Sequence, residues 1–214
     1  MAQSKTDLIR AYRERLQTHG PGSEAVQYAD RESHYARFAV LADVDPDLTS
    51  VLDVGCGLGD FCHYLRARGN YARYHGVDIV PEFVDLANMS FAGDAAAQAS
   101  VLDAETGELP TGHDYAVLSG VFNNTMKDNW GFMTRTLDRM WAAADRGIAF
   151  NAMSTYVDYR DPDLYYVDPM EVFAYCKSKL GGHPVLRHDY TVRPGGFPFE
   201  FAMYVYKSPR DASA

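Results

Sequence analysis

The sequence predicts an α/β fold: a mostly parallel sheet with helices on both faces, closed by a C-terminal antiparallel hairpin. Three observations predict it. Strand-like and helix-period runs alternate along most of the chain, the pattern of repeated βα units. The run Val51-Leu52-Asp53-Val54-Gly55-Cys56-Gly57-Leu58-Gly59-Asp60-Phe61 passes from β-favouring residues, through alternate glycines, into a helix-compatible stretch. Near the C-terminus, two strand-like segments flank Arg193-Pro194-Gly195-Gly196, a turn composition that pairs them antiparallel.

The elements follow in order. Leu8, Ile9, Tyr12 and Leu16 recur at helical spacing until Gly20-Pro21-Gly22 breaks the helix. Ser23 or Asp30 can cap a second helix with Tyr35, Phe38 and Leu41/Ala42 on its apolar face. The first strand is 51–54. After the glycine loop, Phe61, Cys62 and Leu65 share one side of a helix that ends at Gly69. A second strand, 74–79, carries the acidic Asp78 at its end, and Pro81 then opens a helix where its missing N–H costs nothing. Strands at 99–102 and 115–119 follow. Trp130, Met133, Leu137 and Met140/Trp141 stripe a long helix, and 147–150 is the fifth strand. Asp168-Pro169 opens a helix carrying Val172, Phe173, Cys176 and Leu180, stopped by Gly181-Gly182. The hairpin strands are 184–192 and 199–206.

The 214 residues suit one α/β domain, 1–214, with N-terminal helices over 1–46 and an α/β core over 47–207. No signal peptide is expected, because the first twenty residues contain no unbroken apolar run. The uncharged stretch 115–126 is too short to span a bilayer. Cys56, Cys62 and Cys176 have no metal-ligand spacing, and three is the wrong number for a disulfide framework. A cytoplasmic protein with no membrane partner is the expectation. The net charge of −9 and the lack of any basic run argue against nucleic acid as a partner.

Glycine permits positive φ and lets a ligand lie against bare main chain, and a helix N-terminus draws negative charge. The 51–61 segment therefore reads as a nucleotide-type ligand loop. The dinucleotide pattern G-x-G-x-x-G is the competitor, but here the spacing is G-x-G-x-G and Asp60 stands at the place of its third glycine. A carboxylate there repels a diphosphate and suits a cationic or zwitterionic ligand. The stretch resembles motif I of class I S-adenosylmethionine (SAM) methyltransferases, hydrophobic-hydrophobic-D-x-G-x-G-x-G.

That resemblance implies a Rossmann-like seven-stranded sheet, SAM as cofactor and methyl transfer as the reaction. It gives Gly55, Cys56 and Gly57 the cofactor's main-chain cradle and places Asp53 near the methionine amino group. It assigns Asp78 to the ribose hydroxyls, where a carboxylate makes a bidentate contact, and Ile79 to the adenine face. Asp103 and Ala104 match the adenine edge, and Ser119 ends the fourth strand beside the site. Each aspartate also has a plainer reading as a turn or helix cap.

The segment from 20 to 207 further resembles a bacterial family of small SAM methyltransferases. The resemblance rests on Tyr28 followed by Arg37-Phe38, on Ser119-Gly120-Val121-Phe122-Asn123, on Ala149-Phe150-Asn151, on Ser154-Thr155-Tyr156-Val157-Asp158-Tyr159 and on Arg187-His188-Asp189-Tyr190. It implies that Tyr28 and Arg37 serve the cofactor, Arg37 by pairing with the methionine carboxylate; an exposed helix arginine is the alternative. No Pro-Pro follows the fourth strand, unlike the amine-clamping tetrad of DNA and RNA N-methyltransferases. Asn123, Asn124, Asp128 and Asn129 are explained by a polar loop feeding a helix cap, so no metal is expected.

Four tyrosines fall within 153–169, and a connection that long and aromatic calls for a reason beyond linkage. Tyr156, Tyr159, Tyr165 and Tyr166, with Phe122 and Asn123, are the expected acceptor-side residues; a lid packed on the core is the alternative. If the acceptor needs deprotonation, His188, Asp189 and Tyr156 are the candidate bases. The expected function is SAM-dependent methyl transfer to the nitrogen or oxygen of a small molecule. A nicotinamide oxidoreductase and a non-catalytic SAM-binding subunit are the competing readings.

Overall fold

The computed structural model describes residues 4–22, 24–27 and 30–210. Among them the chain forms α1 (Lys5–His19), α2 (Arg31–Ala42), β1 (Ser50–Val54), α3 (Asp60–Ala67), β2 (Arg73–Asp78) and α4 (Pro81–Ser90). Next come β3 (Ala97–Val101), β4 (His113–Leu118), a 3-10 turn (Val121–Asn123), α5 (Asn129–Ala143) and β5 (Ala144–Ser154). The chain closes with β6 (Tyr166–Val167), α6 (Pro169–Ser178), β7 (His183–Arg187) and β8 (Glu200–Tyr206).

The sheet order is β3-β2-β1-β4-β5-β8-β7, with β6 beside the end of β5. Strands β1 to β5 pair in parallel, whereas β8 runs antiparallel to both β5 and β7. The order reverses between β1 and β4, which opens a crevice at their carboxyl ends. Every residue of β1 and β8 is buried, because helices cover both sheet faces. Strand alternation sorts side chains into two layers. Leu52 and Val54 join Leu118, Leu137 and Met140 in one; Val51 joins Phe38, Leu41, Phe61 and Leu65 in the other.

Local chemistry sets the helix starts. The Asp30 carboxylate accepts from the Ser33 amide at 2.6 Å, so Asp30 caps α2; Ser23, the alternative cap, lies outside the described residues. Asp128 and Asp168 cap α5 and α6, accepting from the Gly131 and Met170 amides at 2.9 and 2.8 Å. Pro81 and Pro169 sit in the first turns of α4 and α6.

The structure corrects several boundaries. The fifth strand has eleven residues rather than four, since β5 pairs with β8 from Gly147 to Met153 and then with β6. The third strand starts two residues earlier than its periodicity predicts. β7 stops at Arg187, and residues 188–199 leave the sheet before β8 begins. Among the described residues, no helix is long and apolar enough to cross a membrane.

α2 is fastened to the sheet by a buried ion pair. Arg37 Nε donates to Glu200 Oε2 at 2.8 Å, and the two residues are 8% and 2% exposed. Arg37 Nη1 also donates to the Ser33 carbonyl, and the Tyr190 hydroxyl donates to Glu200 Oε1 at 2.9 Å. Burial pushes the Glu200 carboxyl up, and the Arg37 charge opposes that shift. Removing one partner strands a charge in the interior. Arg37→Leu should therefore lower unfolding free energy by about 3–5 kcal/mol in urea titrations. The Arg37→Leu/Glu200→Leu double variant should lie closer to wild type than either single change, because it leaves no orphaned charge.

Candidate active site

The glycine turn at the end of β1 is held by its neighbour. The Gly55 and Cys56 amides both donate to the Val77 carbonyl, at 2.8 and 3.1 Å, and the Gly57 amide donates to Asp78 Oδ2 at 2.9 Å. Gly55, Gly57 and Gly59 all have positive φ, at 75°, 54° and 82°. At Gly55 an added Cβ would lie 2.2 Å from Val121 Cγ2, and at Gly57 it would lie 3.0 Å from Val26 Cγ1. The loop thus presents bare main chain for two physical reasons, backbone conformation and lack of space.

A cavity opens at the carboxyl ends of β1, β2 and β4. It gathers Asp53, Gly55, Cys56, Gly57, Asp78 and Ile79 from the β1 and β2 ends. Asp103 and Ala104 reach it after β3, and Ser119 and Asn123 after β4. Arg37 enters from α2. Tyr28 lies outside the described residues.

The acids in this cavity differ in state. Asp53 is buried and accepts from the Tyr74 hydroxyl at 2.6 Å; burial pushes its carboxyl up to about 7, against the pull of that bond. Asp78 is buried too, and burial raises it, while amides at Val80, Gly57 and Ile79 hold it back. Its Oδ1 accepts from Val80 N at 2.9 Å. Asp103 differs: burial pushes it up, but bonds from Lys5 and from the Glu105 amide outweigh this and leave it low. Lys5 Nζ lies 2.8 and 2.6 Å from the two Asp103 oxygens and 2.5 Å from Glu105.

Several lining residues are not evident in the sequence. Lys5, Leu8 and Tyr12 of α1 roof the cavity, while His34 and Phe38 come from α2. Phe199, just before β8, closes the far wall. Tyr12 meets Phe83 edge-on at 5.7 Å, and Asn124 Nδ2 donates to its hydroxyl at 3.3 Å. Burial, followed by the Arg37 charge, brings His34 down to about 3, so its imidazole stays neutral. Asn151, buried at the end of the β4–β5 pair, accepts from the Gly120 amide at 2.7 Å and fixes the turn after β4.

The expected acceptor tyrosines do not reach this cavity. Tyr156 and Tyr159 are 60% and 72% exposed, and Tyr165 packs on the core. Tyr166 belongs to β6, with its hydroxyl accepting from the Asp161 amide. The reason is pairing. The Tyr165 amide donates to the Asn123 carbonyl at 2.9 Å, Leu164 bridges to Asn124, and β6 continues the sheet beside β5. Those contacts turn Leu164 inward instead, and it lines the cavity. Phe122 is 1% exposed and sits between Phe132 and Phe150, as core. His188 and Asp189 also lie away from the cavity lining, His188 against the Tyr156 ring and Asp189 paired with Arg187 at 2.7 Å. Among the described residues, no group of three or more His, Cys, Asp or Glu could hold a metal ion.

Two outcomes follow from this electrostatic layout. Asp78→Ala should weaken SAM binding by about 1.5–3 kcal/mol and should also destabilise the fold, since Asp78 braces the glycine loop. Calorimetry and thermal melts of Asp78→Ala and Asp78→Asn check both effects. For Asp53, the folded value of about 7 exceeds the unfolded one. Its contribution to stability is therefore full below the unfolded value and lost as pH rises through about 7. Binding of a cation runs the opposite way: affinity for SAM should climb by about tenfold between roughly pH 5.5 and 7.5, and Asp53→Asn should flatten that rise.

Comparison with known proteins identifies the family and the fold. Residues 51–143 match a family model described as a methyltransferase domain. The chain is 38% identical over 172 residues to Rv1506c of Mycobacterium tuberculosis, a protein named as a methyltransferase, covering 76% of this chain and 95% of that one. Among solved structures, magnesium protoporphyrin IX methyltransferase (ChlM) from Synechocystis PCC 6803 with bound S-adenosylhomocysteine (SAH) superposes with a TM-score of 0.68 at 15% identity. That match covers 96% of this chain and all of the other. The glycopeptide N-methyltransferase MtfA gives 0.65 at 10% identity, covering 84% of this chain and 91% of that one. The reading as a nicotinamide oxidoreductase falls with these matches: the chain belongs to the class I SAM-dependent methyltransferases.

Proposed function

We propose that this methyltransferase acts on a small organic acceptor, at nitrogen or oxygen, in the cleft roofed by α1 and α2. One observation carries the reading. The cavity that holds the glycine loop, Asp78 and Asp103 is lined also by apolar and aromatic side chains, among them Tyr12, Phe38, Phe132, Leu164 and Phe199. Such a wall suits a compact organic molecule rather than a polymer.

The residues fit the cofactor. The bare main chain at Gly55 and Gly57 forms a cradle that side chains would fill, and Asp78 lies beside it. In this reading Asp78 meets the ribose, Ile79 the adenine face, Asp103 and Ala104 the adenine edge, and Asp53 the amino-acid end. When bound, SAM supplies a methyl carbon already activated by a positive sulfur, so alignment and exclusion of water carry much of the rate. The chain's own part is to align and to enclose. α1 lays Leu8 and Tyr12 over the opening, and the apolar walls keep water from the line of transfer. Neutral His34 and Asn123 are among the polar groups that line the cavity and can meet an acceptor.

We further place the enzyme in the cytoplasm as one domain, with residues 1–46 covering the site, and without a nucleic-acid or membrane partner. The charge of −9 supports this reading, as do three buried cysteines left as free thiols. The test is release of SAH on incubation of SAM with panels of amines, phenols, alcohols and carbon acids, beside RNA and protein controls. Turnover at nitrogen or oxygen of a small acceptor is expected; turnover of the polymer controls alone would refute the reading. With an active acceptor in hand, Tyr12→Ala and Phe199→Ala should raise its KM by about 2–10-fold through lost aromatic contact. Their SAM affinity should stay within about twofold.

A further inference from the structure

Asp60 is the one acid of the cavity whose carboxylate the protein leaves without a hydrogen bond or ion pair, taken among the described residues. Asp53 has the Tyr74 hydroxyl, Asp78 has two amides, and Asp103 and Glu105 share Lys5. Asp60 begins α3, half-buried at the cavity wall next to the loop that ends at Gly59. An acid in a first helical turn is favoured by the helix dipole. That accounts for a carboxylate on α3 but not for one turned into a ligand cavity at a desolvation cost. Burial raises its carboxyl, and the charges of His63 and Arg31 offset this only from a distance. Arg31 is turned to Tyr35, whose hydroxyl it meets at 2.6 Å, and Arg37 is turned to Glu200.

We propose that Asp60 is an ammonium-binding residue: the cation that completes this carboxylate comes from the ligand. The inference rests on the cavity being the cofactor and acceptor site. Two sources carry the required group, the methionine α-ammonium of the cofactor and a protonated amine on the acceptor. In the reading above Asp53 also stands at the amino-acid end, but its carboxylate is more buried and already accepts from the Tyr74 hydroxyl, so Asp60 is the acid whose oxygens the protein leaves for a ligand cation. The position is also the one that separates this loop from the dinucleotide pattern, where a glycine permits close packing of the helix on its strand.

The test compares wild type with Asp60→Asn, which keeps shape and removes charge. Calorimetry measures SAH against 5′-methylthioadenosine, which has the adenosine and sulfur but no amino-acid end. A charged hydrogen bond lost to the cofactor predicts at least about a tenfold loss of SAH affinity, with methylthioadenosine affinity unchanged. If SAH affinity holds, phenethylamine and phenethyl alcohol are titrated into the SAH-loaded protein. Loss of amine binding alone in Asp60→Asn then supports the proposal with the acceptor as the source. Equal losses of SAH and methylthioadenosine would mean that Asp60 only shapes the loop, and overturn it. Unchanged SAH affinity with no Asp60-dependent amine binding overturns it as well. Failure of wild type to bind either adenosine compound would instead refute the cavity as the cofactor site.

Discussion

The rest of the site depends on how the β1 turn is tied to the end of β2. Three successive amides, at Gly55, Cys56 and Gly57, are satisfied by Val77 and Asp78 of the neighbouring strand. Buried amides without partners cost free energy, so this arrangement decides where the loop can go. Asp78 then reaches further: its side chain also accepts from Val80 at the start of α4, and its carbonyl accepts from Leu102 after β3. One residue therefore sets the relative positions of the glycine loop, the next helix and the strand end that carries Asp103. Close approach of the strands is part of the same constraint. A Cβ at Gly76 would come within 2.7 Å of Cys56 Sγ, so the glycine in β2 is what lets the turn lie down.

Charge follows from that geometry. Gathering strand ends at one crevice also gathers their aspartates, and the low dielectric around them raises Asp53, Asp60 and Asp78 together. The fold has met part of this cost internally, by Tyr74 at Asp53, by amides at Asp78 and by Lys5 at Asp103. The remainder favours a ligand that brings positive charge. A sulfonium cofactor is such a ligand, whereas a dinucleotide would add two more negative groups to the same space.

How legible this was in the sequence depended on the range of the interaction. The glycine loop, Asp78 and the Pro81 helix start were legible because each is encoded within a few residues, by backbone freedom and strand-to-helix order. The ion pairs were not. Lys5 and Asp103 are 98 positions apart, and Arg37 and Glu200 are 163 apart, with no local signal linking them. Leu8 and Tyr12 were legible as a helical apolar stripe, but nothing in their spacing says that the stripe faces a cavity. The tyrosines of 153–169 misled for a related reason. Composition marks a segment as aromatic, whereas direction is set by the β6 pairing and the Asn124–Leu164 bridge, which involve only backbone.

The two covering helices are held by different means, and the difference bears on access. α2 carries Phe38 and Leu41 into the core and is tied down by the buried Arg37–Glu200 pair, whose rupture strands a charge. α1 has no buried residue. It rests on apolar contacts around Phe83 and on ion pairs that are partly or largely exposed, Lys5 with Asp103 and Glu105, and Arg13 with Glu82. The exposed Arg13–Glu82 pair contributes only about 0–1 kcal/mol, and the part-buried carboxylates of Asp103 and Glu105 regain water when the helix lifts. Lifting α2 would expose core; lifting α1 would expose chiefly the cavity. The route to the interior with the smaller free-energy cost therefore runs beneath α1, past Lys5 at one end and Tyr12 at the middle, while α2 stays with the sheet as the fixed wall against which a ligand is positioned.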